Sequence, residues 1–311
     1  MKLRILVTGA NGMLGQDLCP ILEEAGHEVI RTDTGAPPAH NRALWELLDV
    51  TDVQNVRHTL LRHQPDVVIH AAAYTDVDGC ERNPDHAFRV NALGTWNVAA
   101  LCGAHHMTLC YLSTDFVFDG ARSTPYTEFD PPNPINRYGA SKLAGERFVA
   151  QLCRQHFIVR TAWLFGVHGG KSFPDRMLQL ARTHRERFVV ADQFGSPTYT
   201  RDLSHALVEL LTSPLYGTYH IVNAGQCSWF ELARKTLELA GVTTMEVKPI
   251  PASEYPGPTR RPAYSVLRRY ALELQGRDFL RPWQQALAEF IRQRQSIETG
   301  GSASGAGSEN A

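Results

Sequence analysis

Short apolar runs alternate along the first half of the chain with longer stretches whose apolar residues recur at helical spacing. Leu3 to Thr8 is one such run, and Leu14, Leu18, Ile21 and Leu22 then share one helix face. His27 to Thr32 is a second run and Glu46 to Val50 a third, after which Thr51 or Asp52 can cap a helix burying Val56, Leu60 and Leu61. Asp66 to His70 reads as a buried strand. Asn83 to His105 reads as one long helix, with Pro84 near its start and Asn91 in its middle. Met107 to Leu112 and Phe157 to Trp163 are further strands, separated by a helix whose apolar face carries Leu143, Phe148 and Leu152. This alternation predicts an α/β fold, a doubly wound parallel (Rossmann) sheet with helices on both faces.

After Trp163 the texture changes. Gly166 to Lys171 is a glycine-rich loop, Phe173 to Thr183 a helix, Phe188 to Ala191 a short strand, and Gln193 to Thr198 a turn-rich loop suited to gripping a ligand. Asp202 to Leu211 returns to helix, Tyr219 to Val222 to strand, and Ser228 to Ala240 to an amphipathic helix capped at Ser228. Pro256 to Pro262 is a stiff loop that presents Arg260 and Arg261 either to a phosphate or to solvent, and Trp283 to Ile291 is a last amphipathic helix. The predicted organisation is a dinucleotide-binding domain over residues 1–160 and a smaller, interleaved substrate-binding region over 161–298, partly returning to the sheet. A Gly-, Ser- and Ala-rich disordered tail is expected over 299–311.

Composition narrows the class without naming a chemistry. Hydrophobic residues at 43% and charged residues at 20% suit a soluble globular chain, and a formal net charge of −1 offers no global field for nucleic acid or an acidic membrane. The six cysteines form no Cys-x-x-Cys pair, which favours free buried thiols in a reducing compartment. The start, Met1-Lys2-Leu3-Arg4, leads into an apolar run too short for a signal segment or a membrane span, so the expected location is cytoplasmic. None of the 13 histidines sits in a His-Glu-x-x-His pattern.

Candidate chemistry gathers at the predicted strand ends. Gly9-Ala10-Asn11-Gly12-Met13-Leu14-Gly15 follows the first strand and opens a helix whose free N–H groups and positive dipole end suit a pyrophosphate. Its glycine spacing departs from the usual dinucleotide fingerprint, in which one residue separates the first two glycines. Asp33 ends the second strand where a carboxylate would meet ribose hydroxyls, while the nearby Arg31 could instead accept a 2′-phosphate, which leaves NADH and NADPH both open. Asp49 and Val50 lie at another strand end, and Ala71-Ala72-Ala73-Tyr74 gives a flat cofactor access to backbone. Ser113 and Thr114 end a strand, where a hydroxyl could contact both a substrate carbonyl and Tyr138. Tyr138 and Lys142, four residues apart, share a helix face. A charged Lys142 would favour the phenolate and lower Tyr138 from its reference near ~10.

Taken together in this order, these motifs resemble the extended short-chain dehydrogenase/reductases that act on nucleotide sugars. More narrowly, they are similar to the dTDP-4-dehydrorhamnose reductases, through Thr8 to Gly15, Ala71 to Asp78, Ser113 to Gly120, Arg160 to Trp163, Asp192 to Thr198 and Arg260 to Pro262. The resemblance implies reduction of a C4 ketone with NADPH or NADH. It makes Tyr138 the proton donor, Lys142 the residue that binds the nicotinamide ribose and lowers the tyrosine pKa, and Thr114 the group that tunes the tyrosine and touches the sugar. It also places Thr75, Val77, Asp115 and Trp163 at the substrate. Phe116 and Tyr264 depart from the family's usual Tyr and Asn. Related sugar-nucleotide dehydratases carry an Asp-Glu pair where Asp115 is followed by Phe116, so reduction is preferred over dehydration. Asp17 matches a carboxylate linked to a metal at a dimer contact in some relatives; its companions are not evident, and no metal is expected. The implied partner is a nucleotide sugar, and the chain is expected to be a monomer or homodimer. The alternatives are a reductase or epimerase of another nucleotide sugar, and a non-catalytic subunit like the one that regulates methionine adenosyltransferase.

Overall fold

Strands such as Val67–His70 have no polar face to give to water, so they are stable only where helices cover both sides of the sheet. The computed structural model describes residues 2–37, 44–169, 172–255 and 257–303, with side chains as far as residue 297. Its first part is β1 (Arg4–Thr8), α1 (Met13–Glu24), β2 (Glu28–Asp33), β3 (Trp45–Leu47), α2 (Val53–His63) and β4 (Val67–His70). There follow α3 (Val77–Arg82), α4 (Pro84–Phe88), α5 (Thr95–Ala104), β5 (Thr108–Thr114), α6 (Arg137–Leu152) and β6 (His156–Thr161). Then come α7 (Phe173–Ala181), β7 (Glu186–Val190), α8 (Thr200–Leu211), β8 (Gly217–His220), α9 (Trp229–Leu239), β9 (Glu246–Ile250), α10 (Tyr270–Leu274) and α11 (Trp283–Ala303).

The main sheet is parallel, with strand order β8-β6-β5-β4-β1-β2-β3. Leu18, Leu22, Leu203 and Leu207 from α1 and α8 cover one face, and Val56, Leu60, Val98 and Cys102 from α2 and α5 the other. Strand order reverses beside β1, which opens a crevice at the carboxyl ends, where Thr8, Asp33, His70 and Thr114 stand. Beyond β6, β7 pairs with β9 in a separate two-stranded sheet backed by Met177, Ala233 and Leu237, while β8 returns to the main sheet at its β6 edge.

Two elements differ from the sequence expectation. The long helix expected over 83–105 is broken into α4, a π-helical turn at Arg89–Gly94 and α5. A Cβ on Gly94 would lie 2.8 Å from Val50 Cγ2, and Asn91 turns inward to bond a neighbouring loop, two packing demands that a regular α-turn would have to meet with different residues. The last helix continues to Ala303, into the stretch expected to be tail; residues 304–311 lie outside the described residues, as do 170–171 of the glycine-rich loop and 256 of the proline-flanked one. The six cysteines are free and buried. Among the described residues no helix is long and apolar enough to cross a membrane.

Candidate functional site

Burial and backbone geometry bring the strand-end motifs into one crevice. Gly9 adopts φ +71°, and a Cβ there would meet Ala72 N at 2.8 Å, so only glycine lets the first turn lie against the Ala71-Ala72 backbone. Asn11 and Gly12 are exposed at the mouth of α1 and Met13 is half-buried, whereas Leu14 packs into the core, which leaves only its backbone to face a ligand. The first turn of α1 carries no acidic side chain, and Gly12 caps the helix without a side-chain hydrogen bond. This arrangement fits a pyrophosphate.

The Asp33 carboxylate accepts from Asn11 N at 3.0 Å and from Thr34 N at 2.8 Å, which holds it at the edge of the glycine turn. Arg31 turns away from that edge. It is buried and donates to both carboxylate oxygens of Glu23, at 2.7 and 2.8 Å, so the alternative of Arg31 as a 2′-phosphate receptor is not supported by its position. Asp49 is exposed beyond β3 and binds Thr51 N and Oγ1, while the Val50 side chain belongs to the core. Ala71, Ala72, Ala73 and Tyr74 are half-buried along the crevice, with Thr75 exposed just before the Asp76 cap of α3 and Val77 opening that helix.

Tyr138 and Lys142 lie on α6, which is capped by Asn136: its Oδ1 accepts from Gly139 N at 2.9 Å, and its Nδ2 donates to Arg260 O at 3.0 Å. Gly139 brings the helix close to the strand end, since a Cβ there would fall 2.0 Å from Phe116 O. Thr114 can therefore hydrogen-bond the Tyr138 phenol, and Phe116 packs edge-on against the same ring at 5.8 Å. Lys142 is 2% exposed, with Nζ 4.2 Å over the Tyr111 ring.

The expected lowering of Tyr138 by Lys142 is corrected by this environment. Burial raises the phenol above its ordinary value, offset in part by the Thr114 hydrogen bond and reinforced by Asp115 and Cys80. Burial also pushes Lys142 down to about 7, with Glu146 and then Cys80 opposing the fall. Lys142 is out of water and Tyr138 is half-buried, and for both the cost of burying charge exceeds the help of a neighbour one helical turn away.

Ser113 and Thr114, sequence neighbours on a strand, point opposite ways. Ser113 Oγ donates to Glu146 at 2.5 Å, farther along α6 than Tyr138, and the hydroxyl beside the phenol is that of Thr114. Arg160 holds Glu146 bidentately at 2.9 and 2.7 Å, with side chains 6% and 5% exposed. Thr114 also donates to Asp115 Oδ1 at 3.0 Å. Asp115 is buried and accepts from Ser265 Oγ at 2.5 Å, and burial pushes its carboxyl up to about 7 against those hydrogen bonds.

Asn91 is a site residue that the sequence pattern did not single out. Its amide donates to Tyr74 O at 3.0 Å and to Ser141 Oγ at 3.0 Å, and its Oδ1 accepts from Tyr74 N at 2.8 Å. It thereby ties the Ala71–Tyr74 loop to the turn of α6 that carries Tyr138, since Ser141 Oγ donates to Tyr138 O at 2.8 Å. The available signal was a polar residue in the middle of an apolar helix pattern. Glu146 and Ser265 carried no such signal.

Next to this corner the second region forms a cavity lined by Arg176, Arg187, Phe188, Gln193, Trp229, Tyr255 and Arg261 among others. Trp163, at φ +46°, stacks on Trp229 with ring centres 3.5 Å apart, and Gly195 leaves room for its indole. Arg261 reaches Asp78 at 3.1 Å across the crevice, whereas Arg260 is exposed and engages Asn136 through its carbonyl. The expected Arg fork is thus one inward and one outward arginine. Tyr264, one of the family departures, donates to Gln226 at 2.6 Å. Asp17 is buried against Thr200, with His168 Nε2 at 3.5 Å, and among the described residues no group of three or more His, Cys, Asp or Glu side chains is arranged to hold a metal.

Comparison with known proteins agrees with this architecture. A family model described as the RmlD substrate binding domain matches residues 2–296. The spore coat polysaccharide biosynthesis protein SpsK of Bacillus subtilis is 40% identical over 94% of this chain and 98% of its own length. A dTDP-4-dehydrorhamnose reductase of Streptomyces griseus is 39% identical over 92% of each chain. The crystal structure of dTDP-4-dehydrorhamnose reductase from Bacillus anthracis in complex with NADP is 40% identical, covers 94% of this chain and 100% of that one, and superposes with a TM-score of 0.88. Matched by that family model over residues 2–296 and by relatives 39–40% identical across nearly its whole length, the chain belongs to the RmlD substrate-binding-domain family.

Proposed function

We propose that the protein is an NAD(P)-dependent oxidoreductase that reduces the C4 ketone of dTDP-4-dehydro-L-rhamnose to dTDP-L-rhamnose, with Tyr138 as proton donor. The observation that carries the reading is the convergence of Thr114, Tyr138 and Lys142 beside the Gly9 turn. The names of the Streptomyces griseus and Bacillus anthracis relatives and the NADP in the latter support the substrate and cofactor class. A bound reduced nicotinamide supplies the hydride, and the chain's own residues do the rest.

Gly9, Asn11, Gly12 and the α1 N-terminus would hold the pyrophosphate, and Asp33 the adenosine ribose. Lys142, buried beside Tyr111, would face the nicotinamide ribose. Tyr138 keeps its proton at neutral pH because burial disfavours the phenolate, so it is poised to give that proton to the alkoxide developing at C4. Thr114 orients the phenol, and Phe116 keeps water from its flank. In the neighbouring cavity Arg176, Arg187 and Arg261 suit a diphosphate, and Phe188, Trp229 and Tyr255 suit a base. Substrate- and NADPH-dependent loss of nicotinamide absorbance, with NMR of the product, tests the reading. Tyr138→Phe should lower kcat by ~10²–10⁴-fold with KM little changed. Full activity in that variant, or an epimerised product without net cofactor use, would overturn it.

A further inference from the structure

Whether the crevice suits a dinucleotide with or without a 2′-phosphate is decided where β2 ends. There the strand is stitched to the glycine turn, with Ala10 N donating to Thr32 O at 3.0 Å and Asn11 N to Asp33 Oδ2 at 3.0 Å. The other carboxylate oxygen, Oδ1, accepts from Thr34 N at 2.8 Å and at longer range from Gly35 N and Thr34 Oγ1, both at 3.4 Å. All four of these donors are neutral. They aim the half-buried carboxylate from two sides without offsetting its charge, and among the described residues Oδ2 receives one hydrogen bond, which leaves it a lone pair to offer. Arg31, two residues back on the same face of the strand, is the guanidinium that could have changed this. It is 4% exposed and spends both terminal nitrogens on Glu23, at 2.7 and 2.8 Å.

We propose that Asp33, so held, makes the protein select NADH over NADPH. The inference rests on the reading of the Gly9 turn as a nicotinamide-dinucleotide site. A carboxylate only accepts hydrogen bonds, so it can bond a ribose hydroxyl, which has a proton to donate. A 2′-phosphate takes that proton away and adds negative charge of its own, in a corner where partial burial strengthens the repulsion between two anions. The neutral donors cannot relieve it, because they already point at Asp33. The glycine turn makes the carboxylate hard to displace, since moving it would strip Asn11 N of its acceptor. The Bacillus anthracis relative forms a complex with NADP, so the selection would set this chain apart from a protein 40% identical to it.

Titration of the protein with NADH and with NADPH, at fixed ionic strength and without any sugar, tests this by nicotinamide fluorescence or by heat. NADH should bind ~10–100-fold more tightly, the range lost when a hydrogen bond to a charged group is not made. Asp33→Asn, which keeps the shape and loses the charge, should weaken NADH and bring the two constants to within about threefold of each other. Equal affinities in the wild type, or tighter NADPH, would overturn the proposal. So would a variant that weakens both cofactors in the same proportion, because Asp33 would then only brace the turn. Arg42 lies in the stretch 38–43, outside the described residues, and Arg42→Gln should leave the ratio unchanged. A loss there confined to NADPH would reveal a receptor for the 2′-phosphate and overturn the selection. If Asp33→Asn does not fold, the wild-type ratio stands as the test and Asp33→Ser replaces the variant, with the same narrowing expected. Failure of both cofactors to bind would remove the dinucleotide reading itself, which equal binding of the two would leave intact.

Discussion

The two halves of the crevice are built on opposite principles. At the chemical end, Thr114, Asp115, Lys142, Glu146 and Arg160 are buried and Tyr138 is half-buried, and their polar groups bond mostly to one another. At the substrate end, the polar groups of the cavity wall, Arg176, Arg187, Gln193, Tyr255 and Arg261, are exposed or half-buried, and the ion pair Lys248–Glu186 across β9 and β7, at 2.6 Å, stands in solvent. Burial makes each partner at the first end expensive to lose, while the second end can change residues without disturbing the fold. A corner that must hold a proton is rigid, and a pocket that must admit a bulky ligand is loosely tied.

The largest effect that would test this contrast comes from breaking one pair of each kind. Glu146→Gln leaves the Arg160 guanidinium buried with half its partner gone, and its Nη1 already has no hydrogen-bond partner. Unfolding in urea should show a loss of about 3–5 kcal/mol. Glu186→Gln, which breaks the exposed pair, should leave the urea midpoint unchanged. Equal shifts in the two variants would remove the distinction.

A second test asks whether the buried lysine is kept for function at the expense of stability. Its folded pKa, about 7, lies below its unfolded value of ~10.4, so between those limits the unfolded chain binds more protons and stability rises with pH. Below about 7 the folded protein bears the full cost of a buried ammonium. Lys142→Met should therefore abolish reduction yet raise the melting temperature, most at or below neutral pH, with the gain shrinking towards pH ~10. A melting temperature that falls equally at every pH would show that Lys142 is there for packing.

The same contrast explains what could be read from the chain. Gly9 to Gly15, Ser113-Thr114 and Tyr138 to Lys142 are contiguous motifs on regular elements, and a parallel sheet with right-handed crossovers gathers its strand ends into one place, so their meeting was predictable. Asn91 was visible only as a polar interruption, because its role depends on a π-turn that no short-range pattern encodes. Ser265 meets Asp115 from 150 residues away, and Asp78 meets Arg261 from 183 away, on loops without periodicity. The direction of the Tyr138 shift was misjudged for a related reason: spacing reveals a neighbour, whereas burial depends on everything packed around it.

The smallest expected effect belongs to the substrate end. Arg187 is half-buried at the cavity wall, on β7 beside the exposed Phe188, and nothing in the chemical corner rests on it. If the cavity receives a diphosphate, Arg187→Ala removes a charge-assisted contact made equally in ground state and transition state, so it should raise KM by ~10-fold while kcat stays within about threefold. The urea midpoint should not move, since among the described residues this side chain has no buried ion-pair partner. A fall in kcat with KM unchanged would mean that the wall helps to align the reacting carbon. The division between a rigid proton-holding corner and a permissive pocket would then have to be drawn farther from Tyr138.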